Sequence, residues 1–216
     1  PIRFAEQSGV IRSSAISDNG HWVYDTTDYG TIEGELGGVV QEKNTCTVLT
    51  AIRELLSLGY KITPQAVKTG FAQVTGLTGL MGRWQIIQRD PLIICDTGHN
   101  VGGWEYLSKQ LDQTPCHALH IVIGMVNDKD IHGVLKLLPK KAIYYFTNAS
   151  VERALPAEEF ALQASEHGLK GTIHSSVALA IEAAKNAAEP NDCIFIGGST
   201  FIVSDALIAL KLDIYN

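Results

Sequence analysis

The sequence predicts an α/β protein: a mostly parallel sheet with helices on both faces, preceded by a small α+β unit. Three observations carry this. From Trp84 onward, short apolar runs alternate with helical stripes, which is the pattern of successive β-α-β units. Before it, three β-like runs precede two helical stripes. Between the two halves lies TGLTGLMGR, residues 75–83, with three glycines and no helical or strand period.

In the first half, residues 10–16, 21–27 and 29–36 are β-like runs separated by Asp18-Asn19-Gly20 and Asp28, so a small antiparallel meander is expected. From Gln41 to Leu58 the period changes. Val48, Ile52, Leu55 and Leu56 fall at i, i+4, i+7 and i+8, the stripe of an amphipathic helix, which Gly59 closes. Thr63 then reads as an N-cap with Pro64 in the first helical position, opening a helix to about Val74. Residues 75–83 read as a linker, dividing the chain into 1–80 and 81–216. Their GxxGxxG spacing is not the dinucleotide fingerprint GxGxxG, and no predicted strand precedes it.

In the second half, residues 92–95 read as a strand buried on both faces. The chain turns polar at Asp96, Thr97, Gly98, His99 and Asn100, and then Val101, Trp104, Leu107 and Leu111 recur at helical spacing. Strands follow at 120–124, 141–146, 171–174 and 193–196. Helices are marked by Ile131, Val134, Leu135 and Leu138; by Pro156 through Gly168; by Val177, Ala180, Ile181, Ala184 and Ala188; and by Val203, Ala206, Leu207 and Leu210. Right-handed crossovers would join them into one doubly wound domain of about 130 residues.

Composition narrows the function classes. At 216 residues, 45% hydrophobic and a formal charge of −6, without a dense Lys/Arg cluster, the chain is expected to bind neither a nucleic-acid backbone nor an anionic membrane. Small-molecule chemistry is the expectation. Cys46, Cys95, Cys116 and Cys193 form no CxxC pair, and two sit in apolar runs, so reduced buried thiols are expected rather than a disulfide or metal site. No stretch has the length of a membrane span, and PIRFAEQSG lacks a signal-peptide pattern. The absence of Met at position 1 reads as the middle of a longer chain.

In an open α/β sheet the loops at the carboxyl ends of the strands line the ligand crevice. That rule makes the 96–100 loop the active-site candidate. Asp96 can accept from a hydroxyl, ammonium or imidazole; His99 can bind a carboxylate or move a proton near neutral pH. Asn100 reads as an N-cap. The last strand ends in IGGST, where Ser199 and the first helical N–H groups can hold a carboxylate or phosphate, or Ser199 can serve as an ordinary cap. Arg83, beside the linker, is placed to fork onto a phosphate or simply to be solvated. Asn44 passes for a capping residue, and 127–130 for a charged turn with Asp130 as cap. His117 and His120 straddle a strand start, which disfavours a metal site.

Five motifs fall into one order: QEKN at 41–44, GRWQ at 82–85, DTGHN at 96–100, GMVNDKD at 124–130 and GGS at 197–199. This series resembles the carboxyl-terminal half of bacterial folylpolyglutamate synthase/dihydrofolate synthase, of the Mur ligase family, over nearly the whole chain. The resemblance implies that 1–80 is the carboxyl-terminal part of the Mur ligase central domain, and 81–216 the Rossmann-like glutamate ligase domain. Met81 stands where the family usually has Pro, which leaves the linker looser, and Thr97-Gly98 varies the loop.

By the same resemblance, the full-length enzyme uses ATP and magnesium to join L-glutamate to dihydropteroate or folate through an acyl phosphate. Asn44, Arg83 and Asp96 would contact ATP, and Asp96, His99 and Ser199 the glutamate. A cytoplasmic monomer is implied. The family's phosphate-cradling GxxxxGK[ST] string, expected upstream with the magnesium ligands, does not occur in this sequence. The chain alone is therefore expected to be inactive. Two other readings are a non-catalytic nucleotide or amino-acid binding module and a cell-wall Mur ligase.

Overall fold

The computed structural model describes residues 2–211. They form two compact units that divide after Met81.

The first unit opens with the antiparallel meander β1 (Ile11–Ile16), β2 (Trp22–Thr26) and β3 (Gly30–Gly34), paired in the order β1-β2-β3. Trp22 and Tyr24, two apart on a strand, point to one face and stack with ring centroids 5.5 Å apart. Against them pack Val10, Ile32, Leu49 and Val67, the last two from α1 (Val40–Ser57) and α2 (Pro64–Ala72). Thr63 caps α2, its hydroxyl accepting the Ala66 N–H at 3.1 Å.

Two expectations are corrected here. The stripe Val48, Leu55 and Leu56 does not face the meander: these residues are 37–45% exposed, and Ile52 alone of the expected four packs on the core. The inward face is Gln41, Thr45 and Leu49. Polar contacts set this rotation, because Thr45 hydrogen-bonds the Tyr24 hydroxyl and Thr50 donates to the Ser8 hydroxyl at 2.8 Å. Nor is 75–83 irregular throughout, since Val74–Thr78 forms a short helix, α3. Its Thr75 N–H is taken by Glu35 Oε2 at 2.8 Å, a cap supplied from forty residues away. Gly79, at φ +70°, ends it.

The second unit is a six-stranded sheet in the order β4-β5-β9-β6-β7-β8. Its strands are β4 (Gln85–Arg89), β5 (Leu92–Asp96), β6 (Leu119–Ile123), β7 (Ile143–Phe146), β8 (Gly171–Ile173) and β9 (Cys193–Gly197). All neighbours run parallel except the edge strand β4 against β5. The sequence pattern did not mark β4, because two Gln and an Arg dilute Ile86 and Ile87 and no residue of the strand is fully buried. Helices α4 (Val101–Gln113), α5 (Ile131–Leu137) and α6 (Ala157–Glu166) share one core with Ile94, Ile121, Ile123, Phe146 and Phe195 of the sheet. Helices α7 (Val177–Ala187) and α8 (Thr200–Ala209) pack on each other and on the sheet, α7 against β6 and β7, α8 against β5 and β9.

Because β9 inserts between β5 and β6, Gly197 pairs in register with Asp96 on one side and Ile123 on the other. The carboxyl ends of these three strands therefore stand side by side. At the opposite end of the sheet, buried His120 is held between the Tyr145 hydroxyl at 2.9 Å and Asp192 Oδ2 at 3.3 Å. Asp192 also accepts the N–H groups of Ala118 and Glu189, each at 2.8 Å. Burial opposes the charge of Asp192, but these donors and the His120 ring outweigh it and hold the carboxyl below its ordinary range.

Candidate functional site

The site candidates of the second unit lie where β5 and β9 end. Asp96, the last residue of β5, is buried. Its Oδ1 accepts the Gly98 N–H at 2.8 Å and its Oδ2 the Trp84 N–H at 2.7 Å. Burial raises the Asp96 carboxyl above its ordinary value, an effect these N–H donors and the Arg83 charge partly offset. The adjoining thiol, Cys95, is pushed up to about 12 by burial and by Asp96.

Thr97 ties the loop to the lead-in segment. Its N–H donates to Gly82 O at 2.9 Å, and its hydroxyl accepts from the Arg83 guanidinium. Gly82 is required at this point, because its φ of +71° disfavours any side chain and a Cβ would fall 2.8 Å from Thr97 and 2.9 Å from Val203 of α8. His99 is half-buried, and its Nδ1–H donates to Thr97 O at 3.0 Å. That bond selects the tautomer, leaving Nε2 as the nitrogen available to a ligand.

On the neighbouring strand, Gly198 turns the chain at φ +95°, with Gly124 O only 2.4 Å from where a Cβ would sit. Ser199 follows, 2% exposed, capping α8 by accepting the Ile202 N–H at 3.1 Å. Asn100 caps α4 in the same way through the Gly103 N–H at 2.8 Å. Of the two readings for Ser199, the cap is therefore present, and its O–H remains a donor. Two helix N-termini open on one sheet edge, where backbone N–H groups favour an anion.

Arg83 and His99 thus both hydrogen-bond Thr97, Asp96 beside it is held by the Trp84 and Gly98 N–H groups, and Ser199 begins the helix after the adjacent strand. Asn44 belongs to the other unit. It is exposed on the second turn of α1, its amide donating to Gln41 Oε1 at 3.1 Å. It borders a 480 Å³ groove of that unit lined by Tyr24, Leu36, Val48, Ile52 and Phe71. Asp130 caps α5 through the Gly133 N–H at 2.8 Å, and its neighbour Asp128 stands 3.7 Å from Lys129 and 3.9 Å from Arg153, as a charged turn would.

Two residues of the cluster escaped sequence reasoning. Thr97 reads there as loop variation, yet it contacts Arg83, Gly82 and His99. Trp84 carries no sequence signal of its backbone: it sits at φ +48°, a conformation that costs a non-glycine residue about 1–2 kcal/mol. Among the described residues, no group of three or more His, Cys, Asp and Glu converges to hold a metal ion, and no helix is long and apolar enough to cross a membrane.

A doubly wound sheet with its polar cluster at the carboxyl strand ends defines a ligand-binding α/β domain. Residues 82–200 match the family described as Mur ligase, glutamate ligase domain, and the chain belongs to that family. It is 32% identical over 195 residues to the dihydrofolate synthase/folylpolyglutamate synthase of Escherichia coli K12, covering 86% of this chain and 44% of that protein. A probable dihydrofolate synthetase of Schizosaccharomyces pombe is 26% identical over 222 residues, 95% of this chain and 51% of that one. Among solved structures, E. coli FolC in complex with DHPP and ADP matches with a TM-score of 0.70 and 29% identity over 92% of this chain and 45% of that one. A bifunctional folylpolyglutamate synthase/dihydrofolate synthase with Mn, AMPPNP and L-glutamate bound matches with a TM-score of 0.69 and 27% identity over 91% and 45%. The chain thus spans about half the length of the relatives it matches.

Proposed function

We propose that this chain is the glutamate-ligase part of an ATP-dependent ligase that adds L-glutamate to dihydropteroate or to folylpolyglutamate. The observation that carries the reading is the cluster at the ends of β5 and β9: Arg83 on Thr97, Asp96 between two N–H donors, His99 with Nε2 available, and Ser199 at the start of α8. In the reaction the acceptor carboxylate attacks the terminal phosphorus of ATP and ADP leaves. The glutamate ammonium gives up a proton to solvent, the free amine attacks the acyl phosphate carbon, the new C–N bond replaces the C–O bond to phosphate, a second proton leaves the nitrogen, and inorganic phosphate departs.

Arg83 is assigned to the charge that develops on the transferring phosphate, and with Asp96 to ATP. Asp96 faces the ammonium of the incoming glutamate, while His99, as an imidazolium donating from Nε2–H, and the α8 N-terminus with Ser199 hold a glutamate carboxylate. Magnesium would accompany ATP in this reaction and help neutralise the phosphate charge when bound. Because GxxxxGK[ST] is absent, this polypeptide alone is proposed to bind ligands weakly without turnover. The test is ATP-dependent ligation of L-glutamate to dihydropteroate. The longer enzyme is expected to turn over and the chain alone to be silent; turnover by the chain alone contradicts the reading.

A further inference from the structure

Trp84 combines three features that local sequence does not require of a tryptophan. Its backbone is left-handed at φ +48°, a conformation shared outside glycine, among the described residues, only by Asn191 and Lys211. Its N–H is one of two donors that fix the Asp96 carboxylate, taking Oδ2 while Gly98 takes Oδ1. Its ring is packed on the α4 side of the sheet, 6.2 Å from Phe195, which in turn meets Trp104 edge-on at 5.7 Å.

We infer that Trp84 is a positioning residue for Asp96: the partly buried ring, packed against the core of the domain, anchors a strained backbone whose N–H sets the plane of the acid. A carboxylate held by Gly98 alone can swing about its Cβ–Cγ bond; held through both oxygens by two separate segments, it cannot. Each oxygen keeps a second lone pair for a ligand. Neighbouring bonds brace the donor. Gly82 N–H donates to Gln85 Oε1 at 2.9 Å and Gly82 O accepts from Thr97, so residues on both sides of Trp84 are fixed. The significance of a fixed acid rests on the proposed role of Asp96 toward the glutamate ammonium; the positioning itself does not.

The experiment follows the Asp96 carboxyl carbon by NMR through a pH titration of this chain, in wild type and in Trp84→Phe, Trp84→Gly and Trp84→Ala. Arg83, Cys95 and His99, the charged and titratable groups around Asp96, stay constant through the series. Loss of an N–H donor disfavours the carboxylate, so Trp84→Ala is expected to move the Asp96 midpoint upward. Trp84→Phe keeps the anchor and should titrate as wild type. Trp84→Gly adopts positive φ without strain and should fall closer to wild type than Trp84→Ala, although it removes more of the side chain. A ring that acted only as packing would make glycine at least as disruptive as alanine, and that result, or an unmoved midpoint in folded Trp84→Ala, overturns the inference.

If the small variants do not fold, the wild type and Trp84→Phe decide. Both should show scalar coupling across the hydrogen bond between the Trp84 amide nitrogen and the Asp96 carboxyl carbon; its absence in either overturns the inference. No ligand enters these readouts. A chain that passes them yet never binds glutamate would defeat the ligase reading and leave the positioning role standing.

Discussion

The Arg83 guanidinium donates to the Thr97 hydroxyl, joining the first residues of the ligase domain to the loop that ends β5. This contact holds a long cationic side chain in place, so on the proposed phosphate role less ordering is left to binding. Arg83→Ala in the longer enzyme is expected to lower kcat/KM for ATP about 10- to 100-fold, a loss of about 1.4–2.8 kcal/mol of transition-state stabilisation. Arg83→Lys should recover part of it, because a point charge replaces a planar fork. Steady-state ligation kinetics check both, and an unchanged Arg83→Ala enzyme would remove Arg83 from the site.

Ser199 caps α8 and is proposed to contact glutamate, two roles that substitution can separate. Ser199→Ala is expected to cost about 1 kcal/mol of stability through the lost cap, and Ser199→Gly only a few tenths; denaturant unfolding of this chain measures the difference. If the hydroxyl also meets glutamate, both variants of the longer enzyme should raise the KM for glutamate alike. A KM that tracks stability instead would leave Ser199 as a cap alone.

The staple at the far end of the sheet predicts a pH dependence. The Asp192 carboxyl is held below its ordinary value, so its contribution is fully present above about pH 4, the unfolded carboxylate value. It is lost as pH falls through the lower folded value. Asp192→Asn should therefore destabilise the domain by about 1–3 kcal/mol at pH 7, and the gap to wild type should narrow on acidification. Urea midpoints from pH 7 downward test this; a gap constant with pH would assign the effect to packing.

The rotation of α1 is checked by two leucines on one helix. Leu49 is 1% exposed and Leu56 39%. Leu49→Ala should cost the first unit about 2–5 kcal/mol, whereas Leu56→Ala should stay within about 0.5 kcal/mol. Equal losses in unfolding experiments on this chain would contradict the observed face.

How far the sequence could be read follows from what each element buries. Strands β5, β6, β7 and β9 are continuous apolar runs because helices cover both their faces, and such runs need no context to be recognised. The edge strand β4 mixes Gln and Arg with Ile and escapes. Helix α1 shows its period but not its face, because Thr45 turns inward to meet the Tyr24 hydroxyl and Gln41 is buried on the same face. Helix α3 depends on Glu35, which no local window contains. The placement of Asp96, His99 and Ser199 at one sheet edge was legible because they stand at or just after strand ends, and neighbouring parallel strands end together. The left-handed Trp84 was not, since the packing of its ring and its bond to Asp96 join segments that no local window contains.

The central claim is that glutamate is held between the β5 loop and the start of α8. The most direct measurement is a titration of the isotope-labelled chain with L-glutamate, following backbone amides by NMR. The account predicts shifts at 97–100 and 198–202 that diminish in His99→Ala. Shifts confined to other surfaces, or identical shifts in His99→Ala, would contradict it.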